Sequence, residues 1–222
     1  MDKILPNTYR LLCNLFDDYE RTILSEIENE LRKNPINYDL KILWKLDRSI
    51  GGIGAYSMPA DPVLNPMPGG IGRTIYRPLQ YARENMEISN INHNSRYVIQ
   101  NVGLHLEGLV KYVIRQERII KITPSSKVTL GQAIRKLNPN KYEKKYFDNL
   151  TDILELYNLS KHGLNNDKKR QRTFTPMDAI IFYLSSRKIG NKLLENHLKD
   201  LYKEIDKYID RLIINRIEST IT

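Results

Sequence analysis

The chain has 222 residues, of which 41% are hydrophobic and 27% are charged, and this composition is typical of a globular protein. Its single cysteine, Cys13, excludes a disulfide framework and a cysteine-built zinc site, and four histidines leave little material for a metal centre. No run approaches the roughly 18 apolar residues of a membrane-spanning helix, and the N-terminus lacks the apolar stretch of a signal peptide. We therefore expect a cytoplasmic protein that needs no metal and no cofactor and binds no membrane.

The charge balance points to an anionic partner. Lysine and arginine exceed aspartate and glutamate by 35 to 26, a net charge of +9. The excess is concentrated in residues 111–145, which hold ten basic side chains against Glu117 and Glu143, a local charge of +8. Two interpretations stay open: a solvated helical surface in a lysine-rich chain, or a surface that binds RNA or another nucleic acid.

The first 50 residues form a predicted N-terminal helical segment. Apolar residues three or four apart predict one amphipathic helix from about Asn7 to Lys33, which Asn34-Pro35 ends. Leu40 to Leu46 fit a helix and a strand equally, and their context favours a helix. The apolar face of the first helix is predicted from Leu12, Phe16, Tyr19, Ile23, Ile27 and Leu31.

Residues 51–77 form a predicted Gly/Pro-rich arm. Six of the eleven glycines and four of the ten prolines lie within residues 51–72, where the tetrapeptide GGIG occurs twice. Glycine-rich loops can cradle a phosphate, but neither copy matches a nucleotide-binding motif. An exposed hinge, able to reach across a dimer partner, is the favoured interpretation.

Residues 78–222 are predicted to form a helical bundle, and the whole chain is expected to be one structural domain. After Pro78 we expect a short helix to about Met86, a turn over Asn90 to Asn94, and a long helix from about Ser95 to Lys121. The apolar stripe of that long helix is Val98, Val102, Leu106, Leu109 and Val113, widened by Ile99, Val110 and Ile114.

The remaining elements also have helical signals. Thr129 and Gln132 form a predicted capping box, and a further helix runs from about Tyr142 to His162. Thr175-Pro176 begins a last helix that continues almost to the C-terminus, with Gly190 as its expected bend. No convincing alternating strand pattern is present, so the fold class is predicted to be all-α.

The polar end of the helix that precedes Gly163 is the candidate catalytic site. Asn158 and His162 lie one turn apart and face the same way. A histidine is suited to proton transfer near neutral pH, and Lys161 could stabilise charge on a phosphate. The alternative is structural, because a histidine in the last turn of a helix is favoured by the helix dipole.

Four runs in order resemble the HEPN superfamily of helical bundles: RYVIQNVGLHLEGLVKYVI (96–114), VTLGQAIRKL (128–137), YFDNLTDILELYNLSKHG (146–163) and FTPMDAIIFYLSSRKI (174–189). The resemblance covers roughly residues 95–190. In that family a helix ends in an arginine, usually followed by a polar residue, with a histidine four to six positions later. The polar residue corresponds to Asn158 and the histidine to His162, but Tyr157 stands at the arginine position.

This resemblance implies a four- to five-helix bundle, commonly a homodimer, that binds RNA or acts as a metal-independent endoribonuclease in a bacterial toxin or phage-defence context, with an antitoxin or operon partner. His162 would act as general base or acid, Lys161 would stabilise the phosphorane, and Asn158 would orient one of them. Because Tyr157 cannot clamp a phosphate as a guanidinium does, the alternative is a non-catalytic dimerisation or protein-interaction module.

Further candidates surround this site. The basic loop of Lys168, Lys169, Arg170 and Arg172 is a predicted phosphate contact, although such runs are often only solvated. Glu107 and His105, together with Tyr157, are candidates for a supporting role, but Glu107 is favoured simply to pair with Lys111. Tyr142 and Tyr146 could stack on bases, with Tyr146 favoured as the edge of the core.

Overall fold

The computed structural model describes residues 8–52, 70–87, 90–119, 128–162, 174–201, 203, 204 and 207, and these contain helices and no strand. The all-α prediction is therefore confirmed for the described residues. The α-helices are α1 (Thr8–Leu12), α2 (Asp18–Lys33), α3 (Lys41–Ile50), α4 (Gly70–Glu87), α5 (Ile91–Gln116), α6 (Leu130–Ile134), α7 (Lys144–His162) and α8 (Pro176–Leu194), with 3-10 turns at Cys13–Leu15 and Pro139–Lys141.

The long helix α5 is the centre of the bundle and packs against α4, α6, α7 and α8. Every residue of its predicted apolar stripe is buried, which confirms the face that the sequence predicts. Its start differs from the prediction, because Asn90 caps the helix by accepting a hydrogen bond from the Asn92 amide at 2.9 Å. The predicted turn over Asn90 to Asn94 is therefore wrong, and the helix gains a turn there.

Helix α8 is buried on nearly all sides and begins where the sequence predicts. The Thr175 hydroxyl accepts a hydrogen bond from the Asp178 amide, and Asp178 reciprocates, a complete capping box. The predicted continuation of this helix almost to the C-terminus is wrong, because a turn at residues 195–197 follows Leu194, while α8 is uninterrupted at Gly190. Glycine is needed there for close packing, since a Cβ atom would stand 2.9 Å from Cδ1 of Leu109 on α5.

The N-terminal segment differs from the single helix that the sequence predicts. Instead of one helix to Lys33, the chain forms α1, a 3-10 turn and α2, and it breaks at Asp17. The Asp17 carboxylate accepts from the Glu20 amide and so begins a new helix, a local signal that competes with continuation. As a result Tyr19, placed on the predicted apolar face, is 70% exposed. The predicted stop before Pro35 and the helix at Leu40 to Leu46 are confirmed.

The predicted arm is shorter than residues 51–77. Helix α4 already begins at Gly70, so its first turn contains most of the second GGIG copy, and Pro78 lies inside it rather than before it. Burial of Ile75, Leu79 and Met86 offsets the hydrogen bond that Pro78 cannot make. Residues 53–69 lie outside the described residues.

A buried polar cluster joins the end of α3 to α8. Arg187 Nε donates to Asp47 Oδ1 at 2.8 Å, and these side chains are only 3% and 5% exposed. Asn191 Nδ2 and Arg187 Nη2 donate to the Gly51 carbonyl at 2.9 and 2.8 Å. Gly52, with a φ of 67°, lies so near Asn191 that a Cβ atom would stand 2.2 Å from its Oδ1. The start of the arm is thereby fastened to α8.

Among the helices that the structure describes, none combines the length and the apolar character that crossing a bilayer would require.

Candidate functional site

A cleft of about 580 Å³ lies between α5, α6 and α7. Its α6 wall is held by the predicted capping box, in which the Thr129 hydroxyl accepts from the Gln132 amide at 3.3 Å and Gln132 accepts from the Thr129 amide. Gly131 lets α6 approach α7, since a Cβ atom there would stand 3.1 Å from Leu154. The cleft is lined by Glu107, Lys111, Val128, Thr129, Leu130, Gly131, Arg135, Leu154, Tyr157, Asn158 and Lys161.

The charged groups of this cleft come from all three helices or their ends. Lys111 of α5, Arg135 after α6 and Lys161 of α7 are its cations, and Glu107 is the one carboxylate among its lining residues. Lys111 Nζ donates to Glu107 Oε1 at 2.7 Å, which confirms the pair that the sequence predicts. Lys161 Nζ lies 3.8 Å from Glu107 Oε2. The cleft therefore has an excess of two positive charges.

Tyr157 is a packing residue at the back of the cleft. It is 1% exposed, and its ring fits against Gly103 of α5. Burial first, and then the negative charge of Glu107, raise the pKa of its phenol well above the ordinary value. The phenol is therefore neutral near pH 7 and does not replace the positive charge of an arginine.

The structure places Asn158 and Lys161 together at the cleft. Asn158 is exposed at its rim, and Lys161 Nζ lies 3.8 Å from the centroid of the Tyr157 ring, a cation–π contact. His162 is the last residue of α7, but its side chain lies outside the described residues. Its catalytic role stays a prediction, as does phosphate contact by Lys168, Lys169, Arg170 and Arg172, which also lie outside them.

Arg96 and Gln100 of α5 are polar residues of this region that sequence reasoning missed. Arg96 Nε and Gln100 Nε2 donate to the Ser160 carbonyl at 2.5 and 2.6 Å, and Arg96 Nη2 donates to the Lys161 carbonyl at 3.3 Å. They donate to backbone carbonyls at the end of α7 that have no hydrogen-bond partner within the helix. Their i, i+4 spacing puts them on one face, but nothing local identifies a partner 60 residues away.

Much of the basic segment at residues 111–145 is neutralised by acids. Salt bridges join Arg115 to Glu204 and Lys141 to Glu117, while Lys144 bonds to Asp148 four residues on. For these side chains the solvated-surface interpretation holds. Arg135 forms no salt bridge with the described residues and faces the cleft, so it keeps its charge available there.

Three other candidates have side chains buried in the core rather than placed in the cleft. His105 does not face the cleft: it is 1% exposed, and its Nδ1 donates to the Ile75 carbonyl of α4 at 2.7 Å. Because His105 and Glu107 are two residues apart on α5, their side chains leave nearly opposite sides of the helix. Tyr146 is buried at the core edge, as predicted, beside Lys145. The Tyr142 hydroxyl is buried, and burial raises its pKa to about 12.

Comparisons with protein-family models, with curated proteins and with solved structures found no match. In the part of the chain that the structure describes, no three His, Cys, Asp or Glu side chains are grouped so that they could hold a metal ion.

Proposed function

We propose that this protein binds single-stranded RNA, with the cleft between α5, α6 and α7 holding part of the strand. The observation that supports this most is the convergence of Lys111, Arg135 and Lys161 on one cleft, where Glu107 is the single carboxylate among the described lining residues. Cations that meet in a concave site attract phosphate, and clefts of this volume accommodate a nucleotide.

The charge of the whole chain and the shape of the site both favour a strand of nucleic acid over a small anion. A net charge of +9 is larger than the charge that neutralises a single phosphate group, and it is suited to a polymer with many phosphates. A cleft between helices admits an unpaired nucleotide, whereas a duplex keeps its bases stacked and its width fixed. The resemblance to HEPN bundles supports RNA as the polymer.

Arg135 and its neighbour Lys136 allow a matched test of this proposal. Both are exposed and neither has a salt bridge to the described residues, but only Arg135 lines the cleft. We expect Arg135→Gln to weaken binding of an RNA of about 12 nucleotides about fivefold and to reduce the salt slope by about 0.7. Lys136→Gln makes the same charge change outside the cleft and should have a smaller effect.

The measurement is fluorescence anisotropy of labelled RNA from about 50 to about 300 mM salt. Absence of binding at the lowest salt contradicts the proposed function. In that case the protein-interaction module would be the better interpretation. Equal losses in the two variants would place RNA binding elsewhere on the surface and would contradict the assignment of the cleft.

RNA cleavage is a second candidate function, favoured by the position of Arg96. Its guanidinium donates to the carbonyls of Ser160 and Lys161, the two residues before His162, and thus brings a fixed positive charge to the end of α7 from another helix. Incubation of labelled RNA in excess EDTA tests it, with wild type beside His162→Ala and Asn158→Ala. Cleavage by wild type that both variants lose supports an endoribonuclease, and intact RNA in all three contradicts it.

A further inference from the structure

Glu107 places a negatively charged carboxylate in a cleft that is proposed to bind phosphate. Its side chain is 18% exposed, and only one of its two oxygens is fully engaged. Oε1 accepts from Lys111 at 2.7 Å, but Oε2 lies 3.8 Å from Lys161, beyond hydrogen-bond distance. The Tyr157 phenol lies beside this carboxylate, but a carboxylate oxygen accepts more than one hydrogen bond, so Oε2 keeps acceptor capacity at the cleft.

The phenol of Tyr157 is a second polar group of the cleft and lies beside the Glu107 carboxylate. The Tyr157 hydroxyl is buried and lines the cleft beside Glu107, close enough for the carboxylate to raise the pKa of the phenol. Buried polar groups are nearly always hydrogen-bonded. The phenol and the carboxylate therefore form one polar wall of the cleft, to which a ligand with a hydrogen-bond donor can bind.

The chemistry of Glu107 restricts which ligand this can be. A carboxylate repels a phosphate unless the ligand also offers the carboxylate a hydrogen-bond donor. Lys161 and Lys111, which would hold the phosphate, are the same groups that contact Glu107, so the donor must lie beside the phosphate. In RNA the 2′-hydroxyl is on the carbon next to the one that bears the 3′-phosphate, while base donors lie farther away.

We propose that Glu107 accepts a hydrogen bond from a ribose 2′-hydroxyl while Lys161 and Lys111 hold the adjacent phosphate, so that this cleft distinguishes RNA from DNA. The inference rests on the proposed function and adds the group that is recognised. DNA has no 2′-hydroxyl and leaves the carboxylate facing a phosphate without compensation.

Three strands of one sequence test the inference in wild type: RNA, DNA and 2′-O-methyl RNA, which keeps the ribose oxygen but has no hydroxyl donor. We expect RNA to bind about tenfold more tightly than either other strand, the factor that a hydrogen bond to a charged group supplies. Equal affinities for the three strands, all weakened by Arg135→Gln, would overturn the inference and leave nucleic-acid binding in the cleft intact. No binding of any strand would overturn the proposed function, and the inference with it.

Glu107→Gln tests the residue itself, with the exposed Glu155→Gln of α7 as a control of equal charge that does not line the cleft. We expect Glu107→Gln to increase DNA affinity and reduce the preference for RNA to about twofold or less, because the repulsion is gone. Glu155→Gln should change all three affinities alike. A tenfold preference that persists in folded Glu107→Gln would overturn the assignment. If this variant does not fold, the comparison of the three strands in wild type still decides.

Discussion

The aromatic ring of Tyr157 lies directly on the backbone of Gly103, so near that a Cβ atom at residue 103 would stand 2.1 Å from Cδ2 of the ring. This contact joins α7 to α5 immediately behind the cleft. A residue that the sequence places at a family's arginine position therefore has a packing role, and it needs glycine on the opposing helix.

Gly103→Ala should destabilise the protein by about 2 kcal/mol, because the added methyl group collides with a buried ring. Alanine's better helix propensity, worth about 1 kcal/mol, is not sufficient to compensate. Urea unfolding measures the change, with Gly131→Ala as a milder control, since Leu154 there can move. Tyr157→Leu in the Gly103→Ala background should recover part of the loss, and strictly additive effects would contradict the contact.

Asp47→Ala should cost about 3 to 5 kcal/mol of unfolding free energy, because it leaves the Arg187 guanidinium buried without its carboxylate. The double variant Asp47→Leu with Arg187→Met removes both charges and should be clearly more stable than Asp47→Ala alone. Chemical denaturation compares them, with the exposed Asp39→Ala as control. A double variant no more stable than Asp47→Ala would show that the loss does not come from the buried Arg187 charge left without its carboxylate.

Stability should fall in acid because of His105. Burial first, opposed by the hydrogen bond to the Ile75 carbonyl, and then the positive charge of Arg187, lower the pKa of His105 to about 4 in the folded protein. The unfolded chain binds this proton near the ordinary value of 6.5, so the stabilisation is complete above about pH 6.5 and is lost as the pH falls towards about 4. The total is about 3 kcal/mol.

Unfolding free energies of wild type and His105→Gln at about pH 7.5 and about pH 4.5 isolate this contribution from that of the carboxylates. The difference between the two proteins should shrink in acid. Parallel pH profiles would mean that His105 does not change its protonation on unfolding.

Arg96→Ala should loosen the last turn of α7, since the Ser160 and Lys161 carbonyls lose a charged donor worth about 1 to 2 kcal/mol. Hydrogen exchange should become faster at residues 158–162 and stay unchanged in the middle of α5. Arg32→Ala, which removes an exposed arginine of α2, should leave both regions as in wild type. Unchanged exchange at the end of α7 would show that Arg96 does not secure it.

Helix prediction succeeded where the signals are local. The apolar stripe of α5, the capping box at Thr129, the helix start at Thr175 and the stop before Pro35 all depend on residues within one or two turns of each other. It failed where two local signals compete, as at Asp17, or where packing overrides a local rule, as at Pro78, whose helix is stabilised by burial against α5.

The sequence by itself determined the helical class, the helix ends that have a cap or a proline stop, and the excess of positive charge, because periodicity, caps and composition are properties of neighbouring residues. Only the tertiary structure decided which charges remain available and where they meet. Glu107 meets Lys161, Asp47 meets Arg187 and Arg96 reaches Ser160 across long separations in the chain, and such contacts depend on how whole helices pack. The cleft exists because α5, α6 and α7 converge, and no segment of the chain contains it alone.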